Sequence, residues 1–192
     1  MKKRFVVIEG FDGAGKTDAS KWVTTQYSYT YVKSPAGAFA TARDIFDNLE
    51  NATVRERFLY YLAVSMSSSA TVNDMLTDGR DILLDRYFYS TLVYHEILSP
   101  GITEGHKSYL SQLIKPDLVI YLITDFEIAL ERLKKRKNGA NDDLFFKKNR
   151  YYQALSLYQR YFIDIPPAQI VIVENNGTFE ELTNALDKIL KE

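Results

Sequence analysis

Gly10-Phe11-Asp12-Gly13-Ala14-Gly15-Lys16-Thr17 carries the pattern G-x-x-x-x-G-K-T, with Gly10, Gly15, Lys16 and Thr17 in register. The apolar run Phe5-Val6-Val7-Ile8 precedes it, and a helical pattern begins near Lys16. Strand, glycine-rich loop and helix in that order form an anion cradle. Glycines let successive backbone N–H groups turn toward one anion, and the helix N-terminus adds partial positive charge. A lysine in such a loop reaches the β- and γ-phosphates of a nucleoside triphosphate, and a threonine hydroxyl ligates Mg²⁺. Candidate ATP-binding residues are therefore Gly10, Asp12, Gly13, Ala14, Gly15, Lys16, Thr17 and Asp18, with Thr17 also a candidate metal ligand.

Outward from the loop, five segments read as buried strands: 5–9, 29–33, 81–85, 118–124 and 170–174. Most are short continuous apolar runs, as expected when helices cover both faces of a parallel sheet. Capping boxes predict three helix starts between and after them. Thr53 with Glu56 opens a long helix toward Leu76, and Thr124 with Glu127 opens one through Ile128, Leu130 and Leu133. Thr178 with Glu181 opens the last, with Leu182, Ala185, Leu186 and Ile189 on one face. The alternation predicts a single three-layer α/β/α domain over residues 1–192, with a five-stranded parallel sheet and right-handed crossovers. Ligands then gather at the carboxyl ends of the strands.

The bulk numbers exclude more than they assign. The net charge of −1 gives no global field favouring nucleic acid or a membrane surface. With no cysteine there is no disulfide framework and no thiolate zinc site. The apolar stretch after Met1-Lys2-Lys3-Arg4 is too short for a signal-peptide core or a membrane span, so a cytoplasmic protein is expected.

Asp85-Arg86-Tyr87 follows Ile82-Leu83-Leu84 directly, which puts Asp85 and Arg86 at a strand's carboxyl end. There Asp85 is a candidate for the Mg²⁺ shell, and Arg86 for a bidentate grip on a second phosphate. The basic run Glu131-Arg132-Leu133-Lys134-Lys135-Arg136-Lys137 runs into Asn138-Gly139 and Asp142-Asp143. It reads either as a solvated helix end or as a lid over residues 134–145 that brings cations over a transferring phosphoryl group. Lys33-Ser34-Pro35 leaves the second strand by a turn, and Arg43 follows by one or two helical turns, so Pro35 and Arg43 are candidates to cover an acceptor. His95 and His106 show no metal-ligand spacing.

Together these segments resemble the thymidylate kinases, within the nucleoside-monophosphate-kinase group. The stretch 8–17 resembles the family's E-G-x-D-G-x-G-K-[ST] loop, and 85–94 its D-R-Y-x-x-S-x-x-A-Y segment. Lys115-Pro116-Asp117-Leu118 resembles its P-D-L step into the fourth strand. The resemblance implies a P-loop NTPase fold, Mg-ATP as donor, dTMP converted to dTDP, and a homodimer through packed long helices. By the same resemblance Asp12 receives the deoxyribose 3′-hydroxyl, Arg86 holds the acceptor phosphate and Tyr94 helps exclude a ribo 2′-hydroxyl. Lys16 and Arg86, with Arg132 and Arg136 of the lid, become the candidate catalytic cations.

Three departures stand against the pattern. Lys33-Ser34-Pro35-Ala36-Gly37-Ala38 replaces R-E-P-G-G-T after the second strand, and Asn141-Asp142-Asp143 replaces the lid's D-R-[IL]. Tyr60-Tyr61-Leu62-Ala63-Val64-Ser65 lacks the arginine that meets thymine in the family, and the next arginine is Arg80. Two other readings therefore stay open: a deoxynucleoside kinase, which needs a carboxylate base for its 5′-hydroxyl, and a nucleotide-binding homologue without catalysis.

Overall fold

β1 (Phe5–Gly10) is buried along its whole length, apolar from Phe5 to Ile8 as a strand at a sheet centre must be, and then carrying the buried carboxylate of Glu9. A computed structural model describes residues 4–36, 38–48, 51–136 and 147–191 of the chain. β3 (Ile82–Asp85) and β4 (Leu118–Ile123) flank β1, with β2 (Thr30–Lys33) and β5 (Ile170–Glu174) at the edges. The sheet order is β2-β3-β1-β4-β5, and every pairing is parallel. These are the five expected strands, with ends shifted by at most one residue. The helices are α1 (Lys16–Tyr27), α2 (Ala38–Asn48), α3 (Val54–Thr77), α4 (Phe88–Leu98), α5 (Lys107–Leu110), α6 (Phe126–Arg136), α7 (Lys148–Asp164) and α8 (Phe179–Lys191).

Successive strand residues point to opposite faces, so β1 feeds two cores. Val6 and Ile8 pack with Ala19 and Val23 of α1 and with Leu182, Leu186 and Leu190 of α8. Phe5 and Val7 pack with Phe58 and Leu62 of α3, Leu92 and Val93 of α4, and Tyr158 of α7. The three leucines of α8 recur every fourth residue, and burying each stabilises the fold by roughly 1.5–3 kcal/mol. This is the three-layer α/β/α arrangement that the strand and helix alternation predicts. The chain leaves β1 toward β2 and later crosses to β4, so the topological switch point lies at the carboxyl end of β1.

Two of the three expected capping boxes form. At α3, Glu56 N donates to Thr53 Oγ1 at 3.2 Å and Thr53 N to Glu56 Oε2 at 2.7 Å. At α8, Glu181 N donates to Thr178 Oγ1 at 3.2 Å and Thr178 N to Glu181 Oε2 at 2.6 Å. The third does not form. α6 starts at Phe126, and Thr124 Oγ1 donates to Asn175 O at 3.2 Å. Asp125 N donates to Asn176 Oδ1 at 2.7 Å. Parallel pairing of Ile123 with Glu174 brings the end of β5 alongside, and its groups win the hydroxyl that a local cap would use. At the amino ends of the strands, Phe5 N donates to Asp117 Oδ2 at 2.8 Å, which ties the start of β1 to the Pro116-Asp117 step before β4.

Candidate active site

The loop after β1 can lie where it does only because of its glycines. Gly10 and Gly13 have φ of +151° and +83°. A Cβ on Gly10 would sit 2.5 Å from Leu122 O, and one on Gly13 would sit 2.6 Å from Ala129 O. The loop is thus pressed between β4 and α6. Asn175, buried at the end of β5, clamps it from a third side: Nδ2 donates to Ala14 O at 2.8 Å. From α6, Arg132 Nη1 donates to Gly13 O at 3.4 Å.

Lys16 opens α1 and is buried, with Nζ donating to Phe11 O at 2.7 Å. Its Nζ is 3.9 Å from Asp12 Oδ1. Burial lowers the ammonium to about 8; Arg86 adds to the fall, while Asp12, Asp85 and Glu9 oppose it. Thr17 follows on the first turn, half-buried, and Asp18 is exposed beside it.

Asp85 ends β3, buried, beside Ile8 in the sheet register, and accepts the Tyr31 hydroxyl at 3.2 Å. Arg86 follows with φ +69°, a left-handed conformation that costs a non-glycine residue about 1–3 kcal/mol. That turn carries the guanidinium back over the loop. It donates to Asp12, to Ser90 Oγ at 3.3 Å and to Gly10 O at 3.5 Å. Tyr94 of α4 completes the cluster, its hydroxyl donating to Asp12 Oδ2 at 2.7 Å. Burial disfavours the Asp12 charge, but Arg86 and Lys16 outweigh it and hold the carboxyl at about 2.

Beneath this cluster lies Glu9, buried completely. Tyr87 N donates to its Oε1 at 2.8 Å and Ser90 N at 3.3 Å. Ser90 Oγ and the Tyr158 hydroxyl, the latter at 3.3 Å, donate to Oε2. Burial pushes the Glu9 carboxyl up, against the pull of the Ser90 and Tyr87 hydrogen bonds.

The structure therefore brings together Gly10, Asp12, Gly13, Ala14, Gly15, Lys16, Arg86, Tyr94 and Arg132, with Thr17 and Asp85 at the edges of the same group. Pro35 lies half-buried after β2, where Ser34 Oγ is 3.5 Å from Ser68 Oγ of α3. Arg43 is exposed on α2. The Arg136 side chain, Gly37 and the part of the candidate lid over residues 137–145 lie outside the described residues. Of the lid cations described, Lys135 pairs with Glu131 at 2.6 Å. Arg80 pairs with Asp78 at 2.8 Å, before β3 and so at the amino end of the sheet, away from the loop.

Asn175 and Tyr158 come from the far end of the chain, where no motif marks them. Nor does a local pattern give Glu9 or Ser90 a structural role. Ser90 had a signal, as the serine of the D-R-Y-x-x-S segment. Thr17 and Asp85 offer a hydroxyl and a carboxylate oxygen, the hard donors that Mg²⁺ takes beside phosphate oxygens and water, so the donor set fits that metal.

Comparison with known proteins identifies the family and the fold. The thymidylate kinase family model matches residues 8–186. A probable thymidylate kinase of Methanocaldococcus jannaschii is 30% identical over 176 residues, covering 89% of this chain and 92% of that protein. A thymidylate kinase of Caldicellulosiruptor saccharolyticus is 29% identical over 211 residues, covering 100% and 99%. Among solved structures, a thymidylate kinase from Candida albicans superposes with TM-score 0.77 at 22% identity, covering 99% of this chain and 92% of that one. A deoxyadenosine kinase from M. mycoides with bound dATP superposes with TM-score 0.73 at 18% identity, covering 98% and 100%. At those identities the two superpositions speak for the fold.

Proposed function

The chain belongs to the thymidylate kinase family, a group of nucleoside monophosphate kinases, and on that premise we propose that it transfers the terminal phosphoryl group of Mg-ATP to dTMP, giving dTDP. One observation carries the reading. Two cations from different elements converge on one carboxylate: Lys16 of the loop lies 3.9 Å from Asp12, and Arg86 of the opposing strand end bonds it directly. On this reading Lys16 meets the donor's phosphates and Arg86 the acceptor's.

A phosphate monoester has a second pKa of about 6, so it is already an anionic nucleophile near neutrality and needs no dedicated base. The protein's work is alignment and charge neutralisation. Loop amides and Lys16 hold the triphosphate; Arg86 holds the attacking phosphate in line; Arg132, already on Gly13 O, and Arg136 supply charge from the lid side. Thr17 and Asp85 would hold Mg²⁺, which neutralises charge on the phosphate oxygens. Asp12 and Tyr94 would meet the acceptor's sugar.

The candidate bases for a 5′-hydroxyl are poorly suited. Asp12 is held at about 2, Glu9 is saturated by four donors, and the loop after β2 offers Ser34 and Ala36. This favours a monophosphate acceptor over a nucleoside. We further assign the whole chain to one catalytic domain whose lid spans 134–145. The described residues contain no helix long and apolar enough to cross a membrane. From its family's work on nucleotides we further propose a cytoplasmic enzyme. Leu59 and Met66, exposed on one face of α3, support a homodimer through that helix.

The test is an ADP-release assay with Mg-ATP and each common nucleoside monophosphate and deoxynucleoside. Fastest turnover on dTMP supports the assignment. Preference for another monophosphate would keep the chemistry and change the base, whereas turnover confined to nucleosides would favour the nucleoside kinase. Thermal stabilisation by ATP with no turnover on any acceptor would mark a binding protein without catalysis.

A further inference from the structure

Glu9 has no part in the transfer just described, yet it lies completely buried at the centre of the sheet. Carboxylates are rarely buried without partners, because the charged form loses its hydration. Its partners are informative. Tyr87 is the N-cap residue of α4 and makes no side-chain capping bond, and Ser90 is the third residue of the helix. First-turn amides have no intrahelical acceptor. Glu9 takes two of them, from 78 and 81 residues away, and puts a carboxylate at the positive end of the helix.

Arg86 immediately precedes that cap. Its backbone is left-handed, and its guanidinium donates to Ser90 Oγ, the same hydroxyl that donates to Glu9 Oε2. Tyr158 bridges Ser90 Oγ at 3.1 Å, Glu9 and the carbonyl of Gly10 at 3.4 Å. The carboxylate thus joins the loop, α4 and α7 at one point behind the guanidinium.

We propose that Glu9 is a positioning residue for the acceptor: by capping α4 from β1 and anchoring Ser90, it sets the Arg86 guanidinium where an incoming phosphate monoester must meet it. The inference rests on the nucleoside-monophosphate-kinase reading. It also goes beyond a stabilising role, because a buried carboxylate that only held the fold together would not discriminate between the two substrates.

Glu9→Gln keeps Oε1 for the two amides but replaces the acceptor of Ser90 and Tyr158 with a donor. Steady-state kinetics on the full chain, with Mg-ATP and the best monophosphate acceptor, should show kcat/KM for the acceptor reduced about tenfold to a hundredfold. The KM for ATP should stay within about twofold, because the loop's own amides are untouched. Ser90→Ala, which leaves the carboxylate in place, should show the same split at about threefold to tenfold. In thermal melts both variants should keep the upshift given by ATP and lose part of that given by the monophosphate. An unchanged acceptor kcat/KM in folded Glu9→Gln, or an ATP KM that rises as much as the acceptor KM, overturns the proposal. If Glu9→Gln does not fold, Ser90→Ala decides alone: wild-type acceptor kinetics refute it. Absence of turnover by the wild-type enzyme would strike the functional reading instead, and the melts then decide for Glu9 by whether the monophosphate's upshift falls in Ser90→Ala.

Discussion

The Tyr94 hydroxyl donates to Asp12 Oδ2 at 2.7 Å, and the Arg86 guanidinium carbon lies 5.5 Å from the centre of the same ring. The ring also stacks on Phe11 of the loop, at 5.1 Å between centroids. Tyr94 therefore touches both groups proposed to hold the acceptor. Tyr94→Phe keeps the stacking and removes one hydrogen bond to a carboxylate, worth about 1.5–3 kcal/mol. The acceptor KM should rise about tenfold, with the ATP KM little changed. Equal KM values in variant and wild type would detach Tyr94 from the acceptor.

Lys16→Ala should abolish phosphoryl transfer while leaving the circular-dichroism spectrum and melting profile of a folded protein. Turnover near that of the wild type would reject Lys16 as the donor-side cation. Arg86→Ala should weaken acceptor binding and lower kcat together, because its loss removes both grip and alignment. Its effect on the ATP KM should be small by comparison.

The depressed Lys16 gives a pH dependence of known sign. In the free enzyme the ammonium is charged below about 8 and neutral above it. Since kcat/KM reports free-enzyme ionisations, kcat/KM for ATP should fall as pH rises through about 8. For stability the sign is opposite: the unfolded chain holds this proton up to 10.5, so between about 8 and 10.5 this group makes folding more favourable as pH rises. Lys16→Arg should move the alkaline limb out of range, because arginine keeps its proton. A limb that persists in that variant belongs to another group.

Asp12 contributes at the other extreme. Its carboxyl falls from 3.8 to about 2 on folding, so its stabilisation is present above 3.8 and is lost as pH drops through that window. Acid unfolding followed by tryptophan fluorescence should show a shallower dependence in Asp12→Asn between those values. Parallel acid curves for the two proteins would contradict the Arg86 pairing.

Asn175→Ala deletes the donor that satisfies Ala14 O inside the fold. Urea unfolding should show a loss of about 1–3 kcal/mol. The ATP KM should rise, because the loop proposed to cradle the phosphates loses one of its three braces. A stability loss with unchanged ATP KM would confine Asn175 to the fold.

Residues whose chemistry depends on immediate neighbours were legible in the chain. Gly10 to Thr17 are contiguous, so the spacing that turns amides toward an anion is written in one line. Asp85 and Arg86 were legible because an apolar strand that stops abruptly puts its next residues at the carboxyl edge of a parallel sheet. The α3 and α8 boxes were legible because their bonds span three residues. The fold class followed from the same local signals, repeated along the chain.

What holds those residues in place depends on packing. Glu9 meets Tyr158 across 149 residues, Asn175 meets Ala14 across 161, and Arg132 meets Gly13 across 119. No periodicity or spacing encodes such pairs, since a hydrogen bond forms only where strand order and helix packing bring donor and acceptor within about 3 Å. Thr124 shows the same rule from the other side. Its local pattern calls for a cap, and a neighbouring strand end takes the hydroxyl. The chain alone specified a glycine-rich strand-to-helix loop on a parallel sheet; tertiary packing turned Arg86 over it and closed Glu9 behind, because a buried charge must find its partners wherever the fold has put them.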